Sequence, residues 1–195
     1  MSVIRAFIAI DLTSEIRTCL DQVIGQLRKG LEGVPIRWVP AENIHLTLKF
    51  LGDVSVSNLD MLKKILQTEV SSHNPFEFSV GGLWAFPSVR HPRVLWIGVE
   101  APPELSVIQH GIELAMERLG YQREDKPFSP HLTVGRVSRN ATAKDVHSIS
   151  ALLETTRVGF LGAANVTEIH LYRSELKPSG AIYSQIYTAA LKTGE

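Results

Sequence analysis

The chain has 195 residues, 44% apolar and 21% charged, and its 20 basic side chains are balanced by 20 acidic ones. That balance excludes a sequence-blind nucleic-acid coat, which is strongly basic, but leaves room for a local basic cleft. The single cysteine, Cys19, excludes an internal disulfide and a cysteine-rich metal site, and a chain of this length can bury enough surface to fold without either.

Residues 3–11 form a short apolar run ending at Asp11. Arg5 interrupts it and no cleavage site follows, so it reads as a buried strand and not as a leader. No stretch approaches the ~18–20 apolar residues of a membrane span. A cytoplasmic, monomeric protein without membrane attachment is the expectation. Thr13-Ser14-Glu15 offers a helix cap, and Ile16, Cys19, Leu20, Val23, Ile24 and Leu27 make an apolar helical stripe, with Cys19 read as a small buried hydrophobe. Gly30, Gly33 and Pro35 end that helix. A short strand at 36–39 stops at Pro40, and a second strand covers 44–50 before a turn at Gly52-Asp53. Ser57 is placed as the cap of a helix whose inner face carries Leu59, Leu62, Ile65, Leu66 and Val70. Phe76, Phe78 and Val80 alternate along a strand, and Gly81-Gly82 marks a bulge.

After a loop at 87–92, the plan repeats. Residues 93–99 read as a strand buried on both faces, and Pro102-Pro103-Glu104 opens a helix that Gly120 ends. A polar loop, 122–130, leads into a strand at 131–137. Thr142 caps a helix, and strands follow near 157–161, 165–173 and 182–190, the last two joined by a turn at Lys177-Pro178-Ser179-Gly180. The order predicts an α+β fold. It is a bilobal, duplicated α/β unit with two mainly antiparallel sheets facing a central cleft and helices outside. One domain spans 1–195, with pseudo-repeat halves of about 1–88 and 89–195 that are free to exchange terminal strands.

Within this repeat one pattern stands out. His45-Leu46-Thr47-Leu48 returns as His131-Leu132-Thr133-Val134. On a strand, His and Thr share one face and the two apolar residues share the other. Two imidazoles, with ordinary pKa values near ~6.5, can give and take protons in one step, and two hydroxyls can bind a non-bridging oxygen. A phosphodiester between the strands suits this set without a metal or other cofactor. Three alternatives compete with it: a structural repeat, a metallohydrolase and a binding module without turnover. The metal reading has least support, because no HExxH and no acids accompany these histidines.

The two motifs, together with Arg5–Leu12, Arg37–Gly52, Pro92–Trp96 and Pro127–Arg136, resemble the 2H phosphoesterases, and more narrowly the RNA 2′,3′-cyclic phosphodiesterases of the ThpR/LigT-like branch. The resemblance implies hydrolysis of a 2′,3′-cyclic phosphate, on RNA ends or nucleotides, to a 2′-phosphomonoester. RNA 2′-5′ ligation is the reverse chemistry. It also implies roles: His45 as proton donor to the departing 3′-oxygen, His131 as proton acceptor from water, and Thr47 and Thr133 as phosphate ligands. Arg136 is placed near the phosphate in the family. Simple alternation puts it on the face opposite His131, so either the strand ends or bulges at Gly135 or Arg136 is a surface arginine. Phe50, at the equivalent place after His45, reads first as a core residue and second as a platform for a nucleobase. Lys49 shares the His45 face by alternation and either adds charge to the site or faces solvent. Arg37 and Trp38 border the cleft, with Trp38 read chiefly as packing. Histidines 73, 91, 110, 147 and 170 read as surface or structural.

Overall fold

The computed structural model describes residues 2–178 and 180–192. Among the described residues, two antiparallel sheets form from nine strands. In the first, β3 (Leu46–Ser55), β1 (Val3–Ile10), β8 (Glu168–Lys177) and β9 (Gly180–Ala190) lie in that order. In the second the order is β2 (Ile36–Trp38), β6 (His131–Val137), β5 (His91–Glu100), β4 (Phe76–Ser88), β7 (Phe160–Val166). The sheets do not follow the division of the chain into halves. β2 and β4 cross into the second sheet, and the hairpin β8–β9 returns to the first.

Four helices cover the outer faces: α1 (Ser14–Gly30), α2 (Leu59–Val70), α3 (Pro103–Arg118) and α4 (Ala143–Thr155). None of them is long and apolar enough to cross a membrane. Helix α1 starts as its sequence directs: Thr13 Oγ1 accepts from Ile16 N at 3.3 Å, and Ile16, Leu20, Ile24 and Leu27 are buried at helical spacing. Cys19 is only half-buried on its flank. Thr142 and Asp145 form a reciprocal capping box on α4.

One continuous apolar core unites the helices with one face of each sheet. In β1 it takes Ala6, Ile8 and Ile10; in β3 Leu46, Leu48 and Leu51; in β6 Leu132, Val134 and Val137. Each fully buried leucine or isoleucine contributes roughly 1.5–3 kcal/mol, which fixes which face of every strand turns inward. The other faces are left to line a groove.

Several expectations need correction. Gly52-Asp53 is not a turn, because β3 runs on to Ser55 and Ala6 pairs with Gly52. Ser57 does not cap α2: its hydroxyl bonds Ser55 Oγ at 2.8 Å inside a 3-10 turn, Val56–Asn58, and the helix begins at Leu59. Residues 87–92 are a tight hairpin turn between β4 and β5, with Ser88 paired to His91. β5 is not buried on both faces: Leu95 and Ile97 are buried, whereas Val94, Trp96 and Gly98 are half-buried. β7 begins at Phe160, three residues later than expected. The bulge at Gly81-Gly82 is present; Gly82 has φ +74°, and a Cβ there would meet Trp84 Nε1 at 2.9 Å. Of the turn at 177–180, Ser179 lies outside the described residues.

Candidate active site

His45 immediately precedes β3 and His131 opens β6, so the two motifs stand on different sheets. Their burial is identical in sequence. Over 45–51 and over 131–137 it runs half-buried, buried, half-buried, buried, buried, exposed, buried. Both strands therefore break alternation at the same position. The pairing supplies the cause. Ile8 faces Lys49 and Ala9 faces Thr47, leaving Leu48 without a partner on β1. Leu95 faces Gly135 and Trp96 faces Thr133, leaving Val134 without a partner on β5. Each is a one-residue bulge that exchanges the faces beyond it.

The bulge decides three of the expected site residues. Arg136 returns to the groove side, as the bulged alternative at Gly135 required. Phe50 does likewise; it is 67% exposed and is not a core residue. Lys49 is turned away from the His45 face and is neither a free charge nor solvent-exposed. It is 4% exposed, and its Nζ bonds both carboxylate oxygens of Glu113 at 2.5 and 2.9 Å and Gln122 O at 2.9 Å. Glu113, on α3, was not expected in any role. Gly135 takes the place equivalent to Lys49, and there a Cβ would press on Ile36 and on Trp38 at 3.1 Å.

The groove between the sheets has a volume of about 1430 Å³, and His45, Thr47, His131 and Thr133 all line it, together with Phe50 and Arg136. The His131 imidazole is held by the backbone carbonyl two residues before it. His131 Nδ1 lies 2.7 Å from Ser129 O. A carbonyl can only accept, so Nδ1 donates and Nε2 is left free toward the groove. At His45 the Asn43 backbone favours the protonated ring.

The surroundings of the two rings differ. His45 stacks on Phe7 at 4.6 Å, Tyr172 stacks on Phe7 at 5.2 Å and lies 6.2 Å from His45, and Tyr183 is edge-on to His45 at 5.2 Å. This aromatic wall strips water from the ring, and the desolvation pulls the His45 pKa down to about 4, against the opposing pull of the Asn43 carbonyl and the Asp11 carboxylate. His131 meets Phe86 and Trp96 edge-on at 5.1 and 5.9 Å. Tyr172 donates to both oxygens of Asp11 at 2.7 and 2.8 Å, and burial beside that carboxylate raises its pKa. His170 is buried next to the same acid, 4.0 Å from it, and bonds Thr188 at 3.1 Å. It is structural rather than superficial.

Sequence reasoning missed Phe7, Tyr172, Tyr183 and the Asp11 cluster. In β1 every residue from Ala6 to Ile10 is apolar, so no alternation distinguishes Phe7 and Ala9, on the groove side, from the core positions. Tyr172 and Tyr183 come from a hairpin more than 120 residues further along the chain, where no motif marks them. Among the described residues no three His, Cys, Asp or Glu side chains gather as a metal-holding group.

A family model described as LigT like Phosphoesterase matches this chain twice, over residues 10–96 and 97–183. The chain is 33% identical over 183 residues to an RNA 2′,3′-cyclic phosphodiesterase of Methanothermobacter thermautotrophicus, covering 94% of this chain and 96% of that one. It is 35% identical over 182 residues to the protein of the same name from Archaeoglobus fulgidus, covering 93% and 97%. In structure it is similar to E. coli LigT complexed with 3′-AMP, with a TM-score of 0.78, 28% identity, and coverage of 98% of this chain and 100% of that one.

Proposed function

The chain belongs to the LigT-like phosphoesterase family, and we propose that it hydrolyses the 2′,3′-cyclic phosphate at an RNA end to a 2′-phosphomonoester by metal-independent acid–base catalysis. One observation carries this reading: two His-x-Thr strands from opposite sheets, bulged at the same position, line a single groove, with the His131 imidazole held by a backbone carbonyl. The names of the relatives supply the substrate, and a cytoplasmic monomer acting on RNA ends is part of the same proposal.

In the proposed reaction, water attacks phosphorus and the bond from phosphorus to the 3′-oxygen breaks. His131 takes the proton from water at Nε2, the nitrogen that its bond to Ser129 leaves as an acceptor. His45 gives a proton to the departing 3′-oxygen. Thr47 and Thr133 hold the non-bridging oxygens, Arg136 adds positive charge, and Phe50 offers an exposed face to a base.

The acid role of His45 has an electrostatic requirement. With a pKa of about 4 the imidazole is neutral in the empty groove at pH 7. A phosphodiester brings one negative charge, worth ~4 kcal/mol at ~4 Å with an effective dielectric near ~20. That is about a thousandfold in proton affinity, enough to offset the desolvation. Substrate thus supplies the charge that protonates its own general acid. The test is a turnover assay of EDTA-treated protein on 2′,3′-cyclic AMP. The expected product is 2′-AMP alone. Formation of 3′-AMP, or turnover only after a divalent ion is added back, would overturn the reading.

A further inference from the structure

The catalytic groups account for one phosphate, but the groove carries more positive charge than one phosphate needs. In a chain of zero net charge, Arg37, Arg93, Arg123, Lys126 and Arg136 all line it and all are exposed. Among the described residues none of the five forms an ion pair within 4.0 Å. The acids of the groove are Glu113, already neutralised by Lys49, and Glu124 and Asp125 on the loop before β6.

The placement of three arginines is specific. Arg37 and Arg136 are direct partners on the antiparallel strands β2 and β6, so their side chains leave the same face of the sheet side by side. Like charges directly opposite each other destabilise a strand pair, and β2 is only three residues long. Arg136 also faces Val94 on β5, and the next residue, Arg93, is left unpaired by a bulge opposite Phe86-Pro87, which breaks alternation there and lets it line the groove. The row therefore crosses β2, β6 and β5. It lies three residues along β6 from Thr133, about 7–10 Å at ~3.4 Å per residue. An anion bound along the row would turn this repulsion into attraction.

Resting on the cyclic phosphodiesterase reading, we propose that Arg37 and Arg93, which flank Arg136, form a subsite for backbone phosphates of the RNA strand that enters the groove, with Arg136 joining it to the reacting phosphate. The preferred substrate is then an oligonucleotide ending in a cyclic phosphate rather than a cyclic mononucleotide, which has no phosphate to offer the row. Arg37 and Arg93 bind and have no part in the chemical step.

The test compares wild type, Arg37→Gln and Arg93→Gln on 2′,3′-cyclic AMP and on a hexanucleotide with a 3′-terminal cyclic phosphate, between 50 and 200 mM salt. Two or three phosphate contacts to a single strand predict a log–log salt slope for kcat/KM of about −1.4 to −2.1 on the hexanucleotide beyond that on cyclic AMP. Each variant should flatten this slope by about 0.7, raise KM for the hexanucleotide severalfold and leave cyclic AMP turnover within about twofold. Equal slopes for the two substrates, or equal losses on both, would overturn the proposal. If neither substrate is turned over, the catalytic reading fails by itself, and anisotropy of a labelled hexanucleotide ending in a 2′-phosphate still decides the subsite. Weaker binding by both variants supports it and unchanged binding overturns it.

Discussion

At the scale of single residues, the two histidines are alike in sequence and unlike in surroundings. Each imidazole lines the groove from its own motif, yet His45 alone is walled by Phe7, Tyr172 and Tyr183. Its depressed pKa has a sign that can be followed. Unfolding releases the ring to water, where it titrates near ~6.5. Between that value and about 4 the unfolded chain binds the extra proton, so the stability that depends on a neutral His45 is complete above pH 6.5 and is lost as pH falls toward 4. A bound phosphate reverses the preference. NMR titration of the His45 ring should give a midpoint near 4 in the free protein, rising by roughly one pH unit or more with 2′-AMP bound. A midpoint unmoved by the nucleotide would remove the mechanism by which substrate arms its acid. That the two motifs meet at one groove was legible because the four-residue pattern repeats. The difference between the two rings was not, since Tyr172 and Tyr183 reach His45 only through the tertiary fold.

At the scale of the elements, the shared bulge is the feature that organises the site. Alternation places His45 and Thr47, or His131 and Thr133, correctly for as long as the strand is regular. It then misplaces Lys49 and Phe50, because a single unpaired residue exchanges the faces. Gly135 hinted at the second bulge, but Leu48-Lys49 carries no such mark. Instead of a substrate contact, Lys49 becomes the root of a buried link from β3 to α3 and to the loop before β6, since Glu113 Oε1 also accepts from Glu124 N at 2.8 Å. Lys49→Met should leave Glu113 buried and without its cation, costing about 3–5 kcal/mol in urea unfolding, and Lys49→Met/Glu113→Leu should recover part of that loss. A single variant within about 0.5 kcal/mol of wild type would show that the pair does not hold this region together. The helices, by contrast, were legible apart from the start of α2, because caps such as Thr13 and Thr142 and stripes such as Ile16–Leu27 are local signals, whereas Ser57 sits in a 3-10 turn before the helix.

At the scale of the whole molecule, the repeat visible in the sequence is also visible as two matches of one family model end to end, but the sheets are assembled across it. Strand order was not legible, since β2, β4 and the β8–β9 hairpin choose partners by which core face they can cover. The result brings one His-x-Thr strand from each sheet to a common groove, and the central claim is that the two form a single acid–base unit. The direct test is the turnover of 2′,3′-cyclic AMP by His45→Ala, His131→Ala and the double variant, each shown by circular dichroism to be folded. Each single variant should lose about 10²–10⁴-fold in kcat, and the double variant little more than the worse single, because groups acting in one step do not fail independently. Full turnover in either single variant would contradict the account.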